Sequence, residues 1–460
     1  MRWQKLLIGL SVLAAMSASA FAEPSPKMLK SMARLNRSLF VDGKINEDAR
    51  PRPEAAQRKV LDAIFPKLTS SNEKLAFLAI MFQDFRLATQ LPILGEYVAK
   101  LINDTDAAVR KNAVQILAVY KMRQFGDAVL PLLDDSDREV RMASIQALGL
   151  MGRHDLVPRM AHIAKSAETQ PERETSLSII GLLLHDSTAT VAQHDAELAI
   201  IATYLDDQAS SQMRVVALER LMRLHDADKY LNLVLKLMAN SDSGTRIAAV
   251  NVLAFISGDS VTKALLTGLK DSEPEVRVAA AEALASLDRW FVRPENLRPP
   301  TLKAAAEIAL LLDDGSPDVR VVALRSLDVM HATDYAEAIA KRMDDPDEDV
   351  REWAILTLAS MKVVKFANAV AVHLNDEEED VRCEALKALG VMGAREHTPA
   401  IVARASDKSS EVRKNVIRAL QTLEARDQRT VIKKLSRDKD VSVASEAKDL
   451  LAAWDKKVTP

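Results

Sequence analysis

The chain has one cysteine, Cys383, so no internal disulfide and no cysteine-clustered zinc site can form. Glycine numbers 13 and aromatic residues reach 4%. That scarcity argues against a large sheet, a glycine-rich nucleotide fold or a β-propeller. Neither sign of charge dominates: 62 basic residues face 65 acidic ones, a formal net charge of −3. No global field therefore invites nucleic acid. The phosphate loop, the dinucleotide fingerprint and the G-x-S-x-G elbow are likewise missing. Ala, Leu and Val are plentiful instead, and 48% hydrophobic with 28% charged residues describes a soluble, core-forming protein. Its 460 residues suffice for two or three ordinary domains or one long array.

The only long apolar run stands at the amino terminus. Arg2 and Lys5 precede the apolar stretch Leu6 to Met16, and Ala20-Phe21-Ala22 follows before Glu23. An A-x-A site after a short apolar segment reads as a secretory signal over residues 1–22, cleaved after Ala22. The run is too short for the roughly 20 residues of a spanning helix. The expected mature protein therefore works outside the cytoplasm, periplasmic or secreted, with no membrane span left after signal removal.

Beyond residue 70 one pattern recurs: an acidic turn, Val-Arg, a small residue three positions after the Arg and Leu seven after it. Its arginines are Arg110, Arg141, Arg214, Arg246, Arg277, Arg320, Arg351, Arg382 and Arg413, most of them 31 residues apart. The long gap after Arg141 places a degenerate copy near Glu174, within Pro171 to Leu177, and Lys74 and Ser442 mark weaker copies at the two ends. About twelve units result. In Val140 to Leu148 the inward positions Val140, Ser144, Ile145 and Leu148 share one face of a 3.6-residue helix. Each unit is thus two antiparallel helices that cannot bury their apolar face alone, so neighbours must stack. The expected fold is an all-α solenoid over 71–460, preceded by a helical cap over 23–70. Insertions are expected near 185–195 and 289–300.

These residues resemble HEAT repeats, in the short form also found in the phycobilisome-lyase-like group. The resemblance implies an Asp six residues before the Arg, met here by Asp104, Asp135, Asp271, Asp314, Asp345, Asp376 and Asp407. Each guanidinium can then bond carboxylates and turn carbonyls of its own and adjacent units, a structural ladder. Gln208 and Asn240 depart from the pattern, which predicts an interruption around 208–246.

The same family includes deoxyhypusine hydroxylase, which holds two irons through His-Glu pairs. This chain has no His-Glu dipeptide, and Lys111-Asn112, Val278-Ala279 and Cys383-Glu384 stand in the comparable places. That activity is not implied, and no cofactor or metal is expected. Four His-Asp pairs begin at His154, His185, His194 and His225. They define the alternative from another class, a metal-dependent enzyme or metalloprotein, although histidines in successive turns start too far apart to share an ion easily. Cys383 falls in the register of a buried, inert thiol.

A protein-binding groove is the favoured function. On the side of the second helix away from the core, positions two, five and nine after the Arg gather Phe255, Val322, Arg325, Trp353, Leu356 and Lys387. That side would line a concave face, passing from polar-to-acidic into basic around an apolar centre. Trp290 and Phe291, in the loop 289–300 with its arginines and prolines, either plug a seam or add a contact. The polar carboxy-terminal end, with fourteen bases against nine acids over 401–460, reads as a solvated cap in preference to a site for an acidic ligand. The expectation is an exported, non-catalytic, monomeric scaffold for an unidentified protein, with no nucleic-acid partner.

Overall fold

A computed structural model of the chain describes residues 40–41, 44–45, 54–83, 93–183, 190–205, 209–221, 227–256, 258–287 and 299–456. The chain divides into two compact units, Met1–His225 and Asp226–Pro460. The fold is an all-α solenoid in which each unit is a stack of helix pairs. The second helix of each pair carries the repeat register. In the first unit these are α1 (Ser71–Gln83), α2 (Ala107–Val119), α3 (Arg138–Leu150), α4 (Gln170–Leu183) and α5 (Ser211–Leu221). In the second they are α6 (Ser243–Leu253), α7 (Pro274–Leu287), α8 (Pro317–Val329), α9 (Glu348–Ser360), α10 (Glu379–Val391), α11 (Ser410–Thr422) and α12 (Val441–Lys456). Within each unit every second helix packs against the next in line. Residues 1–39 and 288–298, with Trp290 and Phe291, lie outside the described residues, as do 185–189 of the insertion expected at 185–195, whose remainder opens the helix Val191–Ala202. The stretch expected as a helical cap holds the helix Glu54–Ile64 and a two-residue antiparallel pair, Phe40–Val41 with Lys44–Ile45.

Short polar side chains start the second helices. The Asp106 carboxylate accepts from the Ala108 and Val109 amides, Asp137 and Asp347 cap Val140 and Val350 in the same way, and Ser409 caps α11. Each such cap contributes about 1 kcal/mol. The Val before the register Arg and the Leu seven after it are fully buried in α2, α3, α8, α9 and α11. They hold each helix against its own pair and leave the Arg at the edge of the core.

The helices end in one repeated device. Eleven residues after the register Arg the backbone enters the left-handed region at Lys121, Gly152, His331, Lys362, Gly393 and Glu424, with φ between 48° and 72°. The next amide then reaches back to the carbonyl of the repeat leucine, as in Met122 to Leu117 and Val363 to Leu358 at 2.9 and 3.0 Å. This is a Schellman closure, normally entrusted to glycine. Four repeats carry a side chain there, against a cost of about 1–2 kcal/mol. Lys362→Gly should therefore stabilise the protein by about 0.5–1 kcal/mol, net of glycine's entropy. Gly393→Ala, where a Cβ would meet nothing within 4 Å, should cost about 1 kcal/mol through backbone strain alone. Paired thermal melts check both.

Candidate functional site

The register arginines form two runs of rungs, one in each unit. In the first unit Lys74 reaches Asp104 at 2.6 Å, Arg110 holds Asp135 through two bonds at 2.8 and 2.7 Å, and Arg141 reaches Glu172 at 2.6 Å. In the second, Arg246 pairs with Asp271, Arg277 with Asp314, Arg320 with Asp345, Arg351 with Asp376, Arg382 with Asp407 and Arg413 with Asp438, each through Nε and Nη2. The remaining nitrogen, Nη1, donates to the carbonyls six and five residues earlier, as Arg110 does to Asp104 and Thr105 at 2.9 and 3.1 Å. The Asp then receives the amide two residues on, as Asp135 does from Asp137 at 2.8 Å. One guanidinium thus ties its own turn to the next turn along the stack. Its chemistry is mechanical.

Two copies sit at other residues than expected. In α4 the register residue is Arg173, not Glu174, because Arg173 Nη1 bonds the Ala167 carbonyl at 2.6 Å, six residues back. Ala167 replaces the usual Asp, and Glu172 from the first helical turn supplies the carboxylate for Arg141 instead. In α12 the register residue is Ala444, not Ser442, since its amide bonds Asp440 as each register Arg amide bonds the residue four before it. Asp438, absent from the expected set, is thereby the last ladder acid. Of the expected interruption, Gln208 lies outside the described residues. Asn240 keeps the Asp's local duty, its Oδ1 accepting from the Asp242 amide at 3.0 Å.

The expected groove is narrower than a single-helix reading makes it. Val322 is only 4% exposed, and its counterparts Asn112, Glu384 and Asn415 are buried as well. The reason is the neighbouring helix. Second helices pack side by side, so the flanks one, two, six and eight residues after the Arg close into seams. At Gly149, eight after Arg141, an added Cβ would collide with the Ile179 side chain on α4. Val322 is therefore withdrawn from the site. Trp353 and Leu356 are half-buried, and the Arg325 guanidinium from α8 lies 5.5 Å from the Trp353 ring centroid.

An outward strip remains, at positions five and nine. In residues 226–460 position five carries Asn251, Glu282, Arg325, Leu356, Lys387 and Arg418. Position nine alternates apolar and hydroxyl side chains: Phe255, Ser286, Val329, Ser360, Val391, Thr422. Phe255 is 63%, Val329 47% and Val391 54% exposed. The expected drift from acidic to basic is compensated locally. Arg325 lies 3.5 Å from Glu282, Lys387 2.9 Å from Glu384 and Arg418 2.7 Å from Glu446. Burial opposes charge on Lys387, but its bond to Glu384 outweighs that and holds the ammonium above its usual range. Beside it, burial and then the Glu384 and Asp380 charges raise the Glu352 carboxyl.

The other candidates are not drawn together. His154 is buried with Nδ1 2.6 Å from Glu197 Oε1, while His185 and His225 lie outside the described residues. Among the described residues no group of three His, Cys, Asp or Glu side chains is placed to hold a metal. Nor is any described helix long and apolar enough to cross a membrane. Cys383 is buried in α10, where desolvation pushes its thiol up to about 11.

Residues 96–180, 198–289, 304–371 and 367–452 match the family model for HEAT repeats. Among solved structures, Kap95p bound to RanGDP superposes with a TM-score of 0.62 at 12% identity, over 92% of this chain and 66% of that one. The Kap95:Nup1 complex gives 0.59 at 12% identity, over 97% and 66%. Importin beta gives 0.58 at 14% identity, over 85% and 60%. The chain thus spans 60% to 66% of the length of these structures. At such identities the likeness is one of fold alone. No curated protein matches the chain in sequence. Register, ladder and helix-pair stacking agree with a family model that covers most of the length, and the chain belongs to the HEAT-repeat family.

Proposed function

We propose that this protein is an exported, non-catalytic scaffold that binds another protein along the outward strip of α6 to α11. The observation that carries this reading is the row Phe255, Val329 and Val391, large apolar side chains left in water at one register position on alternate repeats. Ser286, Ser360 and Thr422 stand between them, and half-buried Trp353 and Leu356 lie beside the row. Apolar anchors with a polar surround are the anatomy of a protein interface, in which Trp and Arg are favoured hot spots. The ladder keeps the spacing of these anchors fixed, so a partner meets them preorganised. Structural neighbours of the same fold act on proteins, as the complexes of Kap95p with RanGDP and Nup1 show for that protein. The amino-terminal pattern ending at Ala20-Phe21-Ala22 supports export to the periplasm or beyond.

Cross-linking of the full-length protein expressed in a bacterial host, followed by purification, tests the reading. Phe255→Asp, Val329→Asp and Val391→Asp together should abolish a specific cross-linked species while leaving the melting temperature within about 2 °C, because these side chains are exposed. An unchanged cross-linking pattern would sink the strip. Amino-terminal sequencing of the exported form should begin at Glu23.

A further inference from the structure

The last two repeats carry a feature that the outward strip does not use. On the opposite, first-helix side, a cleft of about 560 Å³ opens between the turn Arg404–Ser406 and the helix Arg429–Leu435. Thr430, Lys433 and Lys434 line it from one helical face, and Arg437 lines it from the turn that follows the helix. Ala405 and Leu435 lie buried beneath. All three cations are exposed, and among the described residues no carboxylate pairs with any of them. Lys434 Nζ reaches only the Ser406 hydroxyl, at 3.3 Å. Asp438, the single acid in the wall, is already held by Arg413 through two bonds of 2.8 Å. The positive charge is therefore left without a counter-charge. Several cations earlier in the second unit are paired: Lys270 with Glu307 at 3.0 Å, Arg342 with Asp313 at 3.1 Å and Lys365 with Glu337 at 2.7 Å.

The register makes the reversal explicit. The residue just before the ladder Asp is the paired Lys270 at the first rung of the unit and then runs Asp313, Asp344, Asn375, Ser406, Arg437 along the last five repeats. One position thus passes from negative through neutral to positive, and the change of sign occurs where the cleft opens.

We infer that this cleft is a binding site for carboxylates of an acidic protein segment, separate from the apolar strip. Two cations on the last turn of the helix and a third in the turn beyond it match a short run of Asp or Glu side chains, and the apolar floor accepts the methylenes of such a run. A long polyanion fits less well. Residues 340–380 of the same unit hold eleven acids against five bases, which repels an extended negative surface. Mutual repulsion there already lifts Glu348, chiefly through Glu378.

The test uses the full-length protein and a fluorescein-labelled octaglutamate peptide, with binding read by anisotropy at low and at physiological salt. Wild type should bind saturably, more weakly as salt rises. Lys433→Glu, Lys434→Glu and Arg437→Glu together should weaken binding at least about ten-fold at an unchanged melting temperature, while Lys433→Arg with Lys434→Arg should retain it. The inference is overturned if wild type does not bind the peptide, or if the triple variant binds equally well. It is also overturned if phosphatidylglycerol vesicles or single-stranded DNA bind the cleft more tightly than the peptide. Loss of peptide binding with the cross-linked partner of the apolar strip retained separates this site from the proposed scaffold surface.

Discussion

Arg320→Ala is expected to destabilise the second unit by about 3–5 kcal/mol, more than any single exposed charge could. The Asp345 side chain is 2% exposed and depends on Arg320 Nε and Nη2 at 3.0 and 2.6 Å. Arg342, 3.6 Å away, and the Asp347 amide at 3.1 Å would be its remaining partners. The truncation also frees the Asp314 carbonyl that Arg320 Nη1 holds at 2.9 Å. A carboxylate stranded in the seam between α8 and α9 is the dominant cost. The double variant Arg320→Met with Asp345→Asn removes both charges, keeps an acceptor for the Asp347 amide and should recover most of the loss. Arg138→Ala, which breaks the exposed pair with Glu139, should stay within about 0.5 kcal/mol. A repeat array can open locally, so hydrogen exchange in α8 and α9 is read beside urea unfolding. A loss below about 1 kcal/mol for Arg320→Ala would make the ladder ornamental.

The ladder shows where reading the amino-acid sequence succeeds. Val, Arg and Leu recur at fixed offsets because each helix meets the same neighbours, so the pattern records packing directly. It weakens where a repeat swaps the supplier of a group. Ala167 in the Asp position hides Arg173, and the carboxylate arrives from Glu172, which no fixed spacing announces. Asp438 was legible by counting 31 residues from Arg413 to Ala444, although Ala444 itself carries no side-chain signal. The left-handed turns at Lys121, His331, Lys362 and Glu424 carry no glycine and left no trace.

The binding face was harder for a geometric reason. A helical wheel treats everything away from the core as free surface, but a stacked helix has two flanking neighbours. Those neighbours removed Val322 and half-covered Trp353, leaving Phe255, Arg325 and Lys387 on the exposed arc. The charge drift read along that face was real in sequence and mostly cancelled in space. Glu384 and Glu446, which do the cancelling, lie outside the row that was being read.

Acid should unfold the second unit steeply, and the ladder sets the window. The Asp438 carboxyl is held below its usual value first by its bonds to Arg413. For Asp271, Asp314 and Asp376 burial pulls upward, but the bonds to Arg246, Arg277 and Arg351 outweigh it and the net shift is down. A carboxyl whose folded pKa lies below its unfolded value contributes stability that is fully present above the unfolded pKa. That contribution is lost as pH falls through the folded one. With 3.8 as the reference for Asp, stability should be level from neutrality to about pH 5 and fall progressively below about pH 4. Glu348 and Glu352 work in the opposite sense, since repulsion raises the first and burial the second, and their protonation relieves a cost. They flatten the acid limb slightly and do not reverse it. Stability measured by urea unfolding across this range should show net proton uptake on unfolding in the acid limb, up to about one for each of Asp271, Asp314, Asp376 and Asp438. Asp271→Asn with Asp376→Asn should lower that uptake by about two protons and start from a less stable protein at neutral pH. Equal acid slopes in wild type and double variant would place the titrating groups elsewhere, and the rungs would then be contacts without electrostatic weight.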